Sequence, residues 1–288
     1  MNRLRTVVLL ATLTALLMWL GQIFGGREGL WFALVIAGAL NLGTWWFADK
    51  VVLRMYNAKE VSAVDMPELH GLVSILAARA DLPMPRLYVI PEASPNAFAT
   101  GRDPQHGVVA VTDGLLRVLE REETAAVIAH ELGHIKHRDT LVMSVAGTLA
   151  GALSMLANGA IWGTMFGGHS EEEDDSGHAV GLLGILAAPL VATLVQMGIS
   201  RSREFLADEA GARFCGNPLA LASALCKIEA CTRRVPMISS SPATAHLFIQ
   251  NPFSGAHLGR LFSTHPSTDE RVRRLRAMAR PGILPVAA

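Results

Sequence analysis

The sequence predicts a mainly α membrane protein, with four transmembrane helices and a cytoplasmic α+β domain that carries a small antiparallel sheet. Three observations carry this expectation. Hydrophobic residues fill 51% of the 288 positions and charged residues only 17%, a balance too poor in charge for a soluble domain of this length. Four stretches, 6–24, 30–48, 141–166 and 179–199, contain no charge, and each is near the roughly 20 residues that cross a bilayer as a helix. Between and after them lie mixed segments with helical and strand periodicity.

The 25 basic and 25 acidic side chains cancel, which removes the electrostatic case for a nucleic-acid partner. Cys215, Cys226 and Cys231 are odd in number, lack C-x-x-C spacing and all follow the last apolar stretch. They read as reduced thiols of a cytosolic portion.

Taken in order, residues 1–49 form a transmembrane hairpin. Its first span follows Arg3 and Arg5 but is too long for a signal peptide and lacks a small-residue cleavage site, so it reads as an uncleaved anchor. Residues 25–29 turn the chain. Residues 50–140 make the first part of the cytoplasmic domain. There, 65–81 has helical spacing, with Asp65 as the expected cap and Pro67 in the first turn. Runs 86–90, 96–100 and 107–112 are short and strand-like and are separated by turn-rich segments. Residues 115–120 lead into a helix over 124–139 that is expected to run directly into the third span.

Residues 141–199 form the second hairpin. Gly147 and Gly151, and Gly159 and Gly163, have the spacing of close helix packing in lipid, and Pro189 is an expected kink. The acidic run 171–175 between the spans reads as a solvated loop, with His169 and His178 exposed beside it. Residues 200–288 complete the cytoplasmic domain: a helix at 219–231, a loop-rich stretch at 237–255 that is either a lid or a membrane-skimming segment, and a final helix capped by Ser267 or Thr268. Nine basic residues near the span ends (Arg3, Arg5, Lys50, Arg54, Lys59, Lys136, Arg138, Arg201 and Arg203) face Arg27 alone in the other loops. The positive-inside rule then puts both termini in the cytoplasm.

The chemistry concentrates at His130-Glu131-Leu132-Gly133-His134. On a helix the two histidines stack on one face and can share a metal, while Glu131 is offset by about 100° and can take a proton from a water the metal activates. The bland alternative, a core helix whose histidines only hydrogen-bond to neighbours, leaves the adjoining glutamate unexplained. Zinc in a catalytic site wants a third protein ligand. Six residues beyond His134 stands Thr140, and His137 would need a different geometry. The best candidate is Glu204, with Asp208 one turn later able to hold the far nitrogen of a ligand histidine. A solvated helical face explains Glu204 and Asp208 as well, and these residues alone leave the two readings open. His265, stiffened by Pro266, suits an oxyanion donor or a surface turn, the latter being the simpler reading. The arginines after it read as a solvated face near acidic lipid headgroups.

Taken together, Asn96-Ala97-Phe98-Ala99-Thr100-Gly101, the His130 to His134 motif, Ser202 to Asp208, His246-Leu247-Phe248-Ile249 with Asn251-Pro252-Phe253, and Thr264-His265-Pro266 with Arg271 resemble the HtpX-type membrane metalloproteases, relatives of the prenyl-CaaX proteases. The resemblance covers nearly the whole chain and departs at Ser267, where a second proline is usual. It implies a zincin domain of the gluzincin type with one Zn2+ held by His130, His134 and Glu204, Glu131 as general base, Asp208 in support, His265 stabilising the transition state with Arg271 near it, and Asn96 to Ala99 as the edge that pairs with substrate. It further implies an endopeptidase of the bacterial inner membrane, acting in quality control and stress on cytoplasmic regions of membrane proteins, alongside other membrane proteases. A prenyl-protein protease is the nearest enzymatic alternative, and a zinc-stabilised scaffold or holdase the non-enzymatic one.

Overall fold

The computed structural model describes residues 2–143, 201–235, 237, 247–249 and 266–279. The third and fourth expected spans, apart from residues 141–143, therefore lie outside the described residues, as do the acidic run, His246, His265 and most of the stretch 237–255.

Helix α1 (Asn2–Met55) is broken at Gly25 and Gly26, the second with a φ of +54°. The two halves fold back on each other. Asn41 Nδ2 donates to Thr14 Oγ1 at 2.9 Å, and a Cβ on Gly21 would lie 2.4 Å from the Gly29 carbonyl oxygen. Among the described residues no single helix is long and apolar enough to cross a membrane, but one bent pair, Gly25–Gly43 with Trp46–Met55 at 71°, has the length and composition to do so.

Strands β1 (Lys59–Glu60), β2 (Arg86–Ile90), β3 (Ala97–Thr100) and β4 (Val108–Thr112) form one sheet in the order β1-β2-β4-β3. The sheet is mixed, which corrects the expected antiparallel one: β2 and β4 pair in parallel, with Arg86 opposite Val108 and Ile90 opposite Thr112. The turn between β3 and β4 makes the expected antiparallel pair, Ala97 opposite Val111. Turn chemistry does not decide which strand of that hairpin meets β2. All five residues of β4 are buried, and a strand that apolar takes the centre of a sheet, where both its edges and both its faces are covered. β3 is thereby left at an edge.

Helix α2 (Pro67–Arg79) has Pro67 in its first turn as expected, but Asp65 does not cap it. Its carboxylate instead accepts the Ser62 N–H at 2.8 Å and hydroxyl at 2.7 Å, closing the turn before the helix. Helix α3 (Asp113–Val118) is capped by the Thr112 hydroxyl, which accepts the Leu115 N–H. Helix α4 (Arg121–Lys136) carries the two-histidine motif and is buried on nearly every side. It ends at Lys136 rather than running on into the apolar stretch. Arg138 takes a left-handed φ of +58°, and helical geometry resumes at residues 139–143. A left-handed residue after a helix is the usual stop, and here it turns Asp139 back toward His134.

Helices α5 (Arg201–Cys215), α6 (Pro218–Arg234) and α7 (Thr268–Met278) complete the described elements. Ser267 caps α7 by accepting the Glu270 N–H. One core unites Leu76 of α2, Val109 of β4, Ile128 and Leu132 of α4, Leu221 and Leu225 of α6, and Leu275 of α7. The other face of the sheet packs on the end of α1, where Tyr56 meets Phe98 and Phe248; the Phe98 and Phe248 rings are 5.3 Å apart and edge to face.

Two small residues set the close crossing of α4 and α5. A Cβ on Gly211 of α5 would lie 2.8 Å from the His130 backbone nitrogen, and one on Gly133 of α4 would lie 3.2 Å from Ala207 Cα. Gly211→Ala must push α5 away from α4 at His130, and overpacking of this kind costs about 1–3 kcal/mol. Thermal unfolding in detergent should show the melting temperature falling by roughly 5 °C; an unchanged value would mean that the crossing is looser than its geometry implies.

The start of α4 is tied to α6 through Glu123. Its buried carboxylate accepts the Glu120 N–H at 2.9 Å, the Ser223 hydroxyl at 2.7 Å and the Lys227 ammonium at 2.8 Å. Burial works against the charged form, but the hydrogen bonds from Lys227, Glu120 and Ser223 outweigh it and hold the carboxyl below the usual glutamate range. A depressed folded value stabilises the fold fully above the unfolded pKa of about 4.3 and is lost as the pH falls through the folded one. Glu123→Gln should therefore lower the melting temperature at pH 7 and narrow its gap to wild type below about pH 4.

Candidate metal centre

His130 and His134 sit one turn apart on α4, and α5 presents Glu204 to them across the glycine crossing. The three side chains are buried, and their ligand atoms lie within 4.8 Å of one another. His130 Nε2 is 3.2 Å from His134 Nε2, 3.9 Å from Glu204 Oε2, and His134 Nε2 is 3.6 Å from Glu204 Oε1.

Each histidine is held from behind by a carboxylate. Asp208 Oδ1 is 3.0 Å from His130 Nδ1, and Asp139 Oδ2 is 3.3 Å from His134 Nδ1. Carboxylates accept the Nδ1 protons, so in the neutral rings that metal binding requires both Nε2 atoms turn lone pairs toward Glu204. Three converging acceptors of this kind fit a cation, and two imidazoles with one carboxylate are a donor set that zinc takes in catalytic sites. The cluster fits a single Zn2+.

Glu131 lies beside this cluster, and the Ala99 N–H of β3 donates to it. Burial pushes its carboxyl up to about 7, His134 opposes that shift, and the charge of Glu204 adds to it. The two histidines diverge. Burial takes His130 down to about 4 against the pull of Asp208, whereas at His134 burial is outweighed by Asp139, Glu204 and Glu131, which raise it to about 9. Asp208 stays ionised despite its burial because Arg271 faces it.

Read from its own helix, Arg271 belongs to a solvated arginine face, whereas the family resemblance places it near the site. Arg273, Arg274 and Arg276 are exposed as expected, but Arg271 is 1% exposed. Its guanidinium donates from Nε to Asp208 Oδ2 at 2.8 Å and from Nη2 to Oδ1 at 2.6 Å, and Nη1 donates to the Ile249 carbonyl at 3.1 Å. The signal was available, since Arg271 shares the helical face of Leu275 and Met278 at spacings of four and three. Asp139 carried no such signal, because only the left-handed turn at Arg138 brings it back to α4. Arg203 was read as a membrane-flanking cation and is instead buried, with Nη1 3.6 Å from Asp139 Oδ1.

Asn96, Ala97, Phe98 and Ala99 are all buried along the edge strand β3. The Ala97 carbonyl accepts the Ile249 N–H at 3.0 Å, so part of this edge is engaged by the chain itself.

The family model described as peptidase family M48 matches residues 63–279. A protease HtpX homolog of Syntrophobacter fumaroxidans is 53% identical over 280 residues, covering 96% of this chain and 99% of its own length. One of Pyrococcus furiosus is 51% identical over 275 residues, covering 96% and 95%. The crystal structure of S. mikatae Ste24p superposes with a TM-score of 0.53 at 17% identity, over 95% of this chain and 65% of that one, so the chain spans about two thirds of its length and shares its fold. The matched region begins before α2 and ends at the last residue of the described α7 region, enclosing every residue of the buried cluster. With relatives matched end to end at half their residues or more, the chain belongs to peptidase family M48, among its HtpX-type proteases.

Proposed function

We propose that the protein is a zinc-dependent endopeptidase of the bacterial inner membrane, that it cleaves cytoplasmic regions of misfolded or damaged membrane proteins, and that Glu131 is its general base. The observation that carries this reading is the buried His130, His134 and Glu204 cluster with Glu131 at its side. A zinc-stabilised scaffold needs no such carboxyl beside its metal and usually fills the fourth ligand position from the protein. Zinc bound there supplies Lewis acidity, which makes water nucleophilic near neutral pH and polarises a scissile carbonyl.

The chain's own groups do the rest. Glu131 takes the proton of the attacking water and delivers it to the leaving amine, a role that suits a carboxyl whose burial lifts it to about 7. Asp208, held by two hydrogen bonds from Arg271, keeps His130 oriented. His265 is assigned the developing oxyanion by family resemblance. An extended substrate pairs with β3 along Asn96 to Ala99 as an added strand, which requires Ile249 to give up the Ala97 carbonyl.

In the proposed layout, residues 1–49 and 141–199 are two transmembrane hairpins, and 50–140 with 200–288 form one cytoplasmic domain. The second hairpin is inserted between His134 and Glu204. It returns the chain to the same face of the membrane, so the active site lies at the cytoplasmic lipid boundary. Four spans also leave little room for an enclosed chamber of the kind a prenyl-protein protease would use.

Metal content and proteolysis measured together, on detergent-purified protein, test the catalytic assignment. Wild type and Glu131→Gln should each hold one zinc, and the variant should cleave an unfolded substrate about 10²–10⁴-fold more slowly. Glu204→Ala should lose the zinc. Wild-type turnover by Glu131→Gln would sink the mechanism, and zinc without cleavage in the wild type would favour the scaffold.

Membrane orientation has its own test. In spheroplasts, a Glu28→Cys variant should react with a membrane-impermeant maleimide, while Cys215, Cys226 and Cys231 of the wild type react only after lysis. Labelling of the native cysteines from outside would reverse the proposed topology.

A further inference from the structure

Asp139 is 1% exposed and Arg203 6%, and neither has a part in the reading above. Burying an ionised pair is costly unless its geometry is used. Here it is used on a ligand. Asp139 Oδ2 stands 3.3 Å from His134 Nδ1 on the side of the ring away from Glu204, and Arg203 Nη1 stands 3.6 Å from Asp139 Oδ1. The arrangement repeats at the other histidine, where Asp208 backs His130 and Arg271 backs Asp208.

We propose that Asp139, held by Arg203, is the positioning residue that sets the tautomer and orientation of His134, as the counterpart of Asp208 and Arg271 at His130. The proposal rests on the metal-site reading above. By accepting the Nδ1 proton, the carboxylate leaves Nε2 bare on the side of the cluster. The Arg203 guanidinium sets a countercharge beside the buried carboxylate. Two local features deliver the pair: the left-handed turn at Arg138, which swings Asp139 back onto α4, and the position of Arg203 next to Glu204, so that α5 brings one ligand and the clamp for another. The pair also joins the chain just before residues 144–200 to the chain just after them, directly beneath His134.

The test uses the full-length protein in detergent, stripped of metal. Zinc affinity is read by competition with a chromogenic chelator, and ligand geometry by the visible spectrum of the cobalt-substituted protein. Asp139→Asn keeps the shape of the side chain and should bind zinc about 10–100-fold more weakly, with shifted cobalt bands and a metal-free melting temperature near that of wild type. Arg203→Gln leaves the carboxylate in place and should weaken zinc in the same direction by a smaller factor. The double variant should be no weaker than Asp139→Asn alone, because Arg203 acts through Asp139.

Wild-type affinity and spectrum in Asp139→Asn overturn the proposal. If that variant does not fold, unchanged zinc affinity in Arg203→Gln overturns it instead. Glu204→Ala separates this failure from that of the metal site: zinc lost in Glu204→Ala but unaffected in Asp139→Asn removes only the role of Asp139, whereas zinc retained in Glu204→Ala removes the site itself.

Discussion

The site depends on the closeness of α4 and α5. Gly211 brings the backbone of α5 onto the backbone of His130, and Gly133 receives Ala207 from the other side. That approach brings the Glu204 carboxylate to the two histidines, with the three ligand atoms within 4.8 Å of one another. Small residues at a helix crossing are usually a matter of packing. In this protein the crossing they set is also the one that carries the third ligand.

The closeness has an electrostatic cost. Four carboxyl groups, Glu131, Asp139, Glu204 and Asp208, are buried around the histidines, and two guanidinium groups, Arg203 and Arg271, are buried with them. Fully ionised, this set leaves two negative charges without a counterpart, a situation the low-dielectric interior penalises strongly. A divalent cation offsets that excess. Burial lifts Glu131, with the charge of Glu204 adding to it, the surrounding carboxylates raise His134 against its burial, and Asp208, facing Arg271, stays ionised.

Much of this was legible in the sequence because it obeys a period. The spacing of His130 and His134 is one helical turn, the strands are short apolar runs bounded by turn residues, and the helices over 67–79 and 218–234 follow their apolar stripes. Departures came where a side chain's role is set by something other than its own segment. Asp65 closes a turn with Ser62 instead of capping α2. Arg271, one arginine among several on a basic helix, is the one that faces the core, and its partner Asp208 lies 63 residues away in sequence. Glu123 joins α4 to side chains of α6 about a hundred residues on.

The sequence by itself determined the two-histidine motif and its adjoining glutamate, because these are local: the residues that must share a helical face are four positions apart, and the resemblance to HtpX-type proteases, which names Glu204 as the third ligand, rests on several such short runs. Tertiary structure alone decided the order of the sheet, the engagement of the Ala97 carbonyl by Ile249, and the backing of His134 by Asp139 and Arg203. The physical reason is that strand order and buried charge pairing are settled by competition among distant segments for a limited interior. A segment read alone carries its period, but not the identity of the neighbour that will satisfy it.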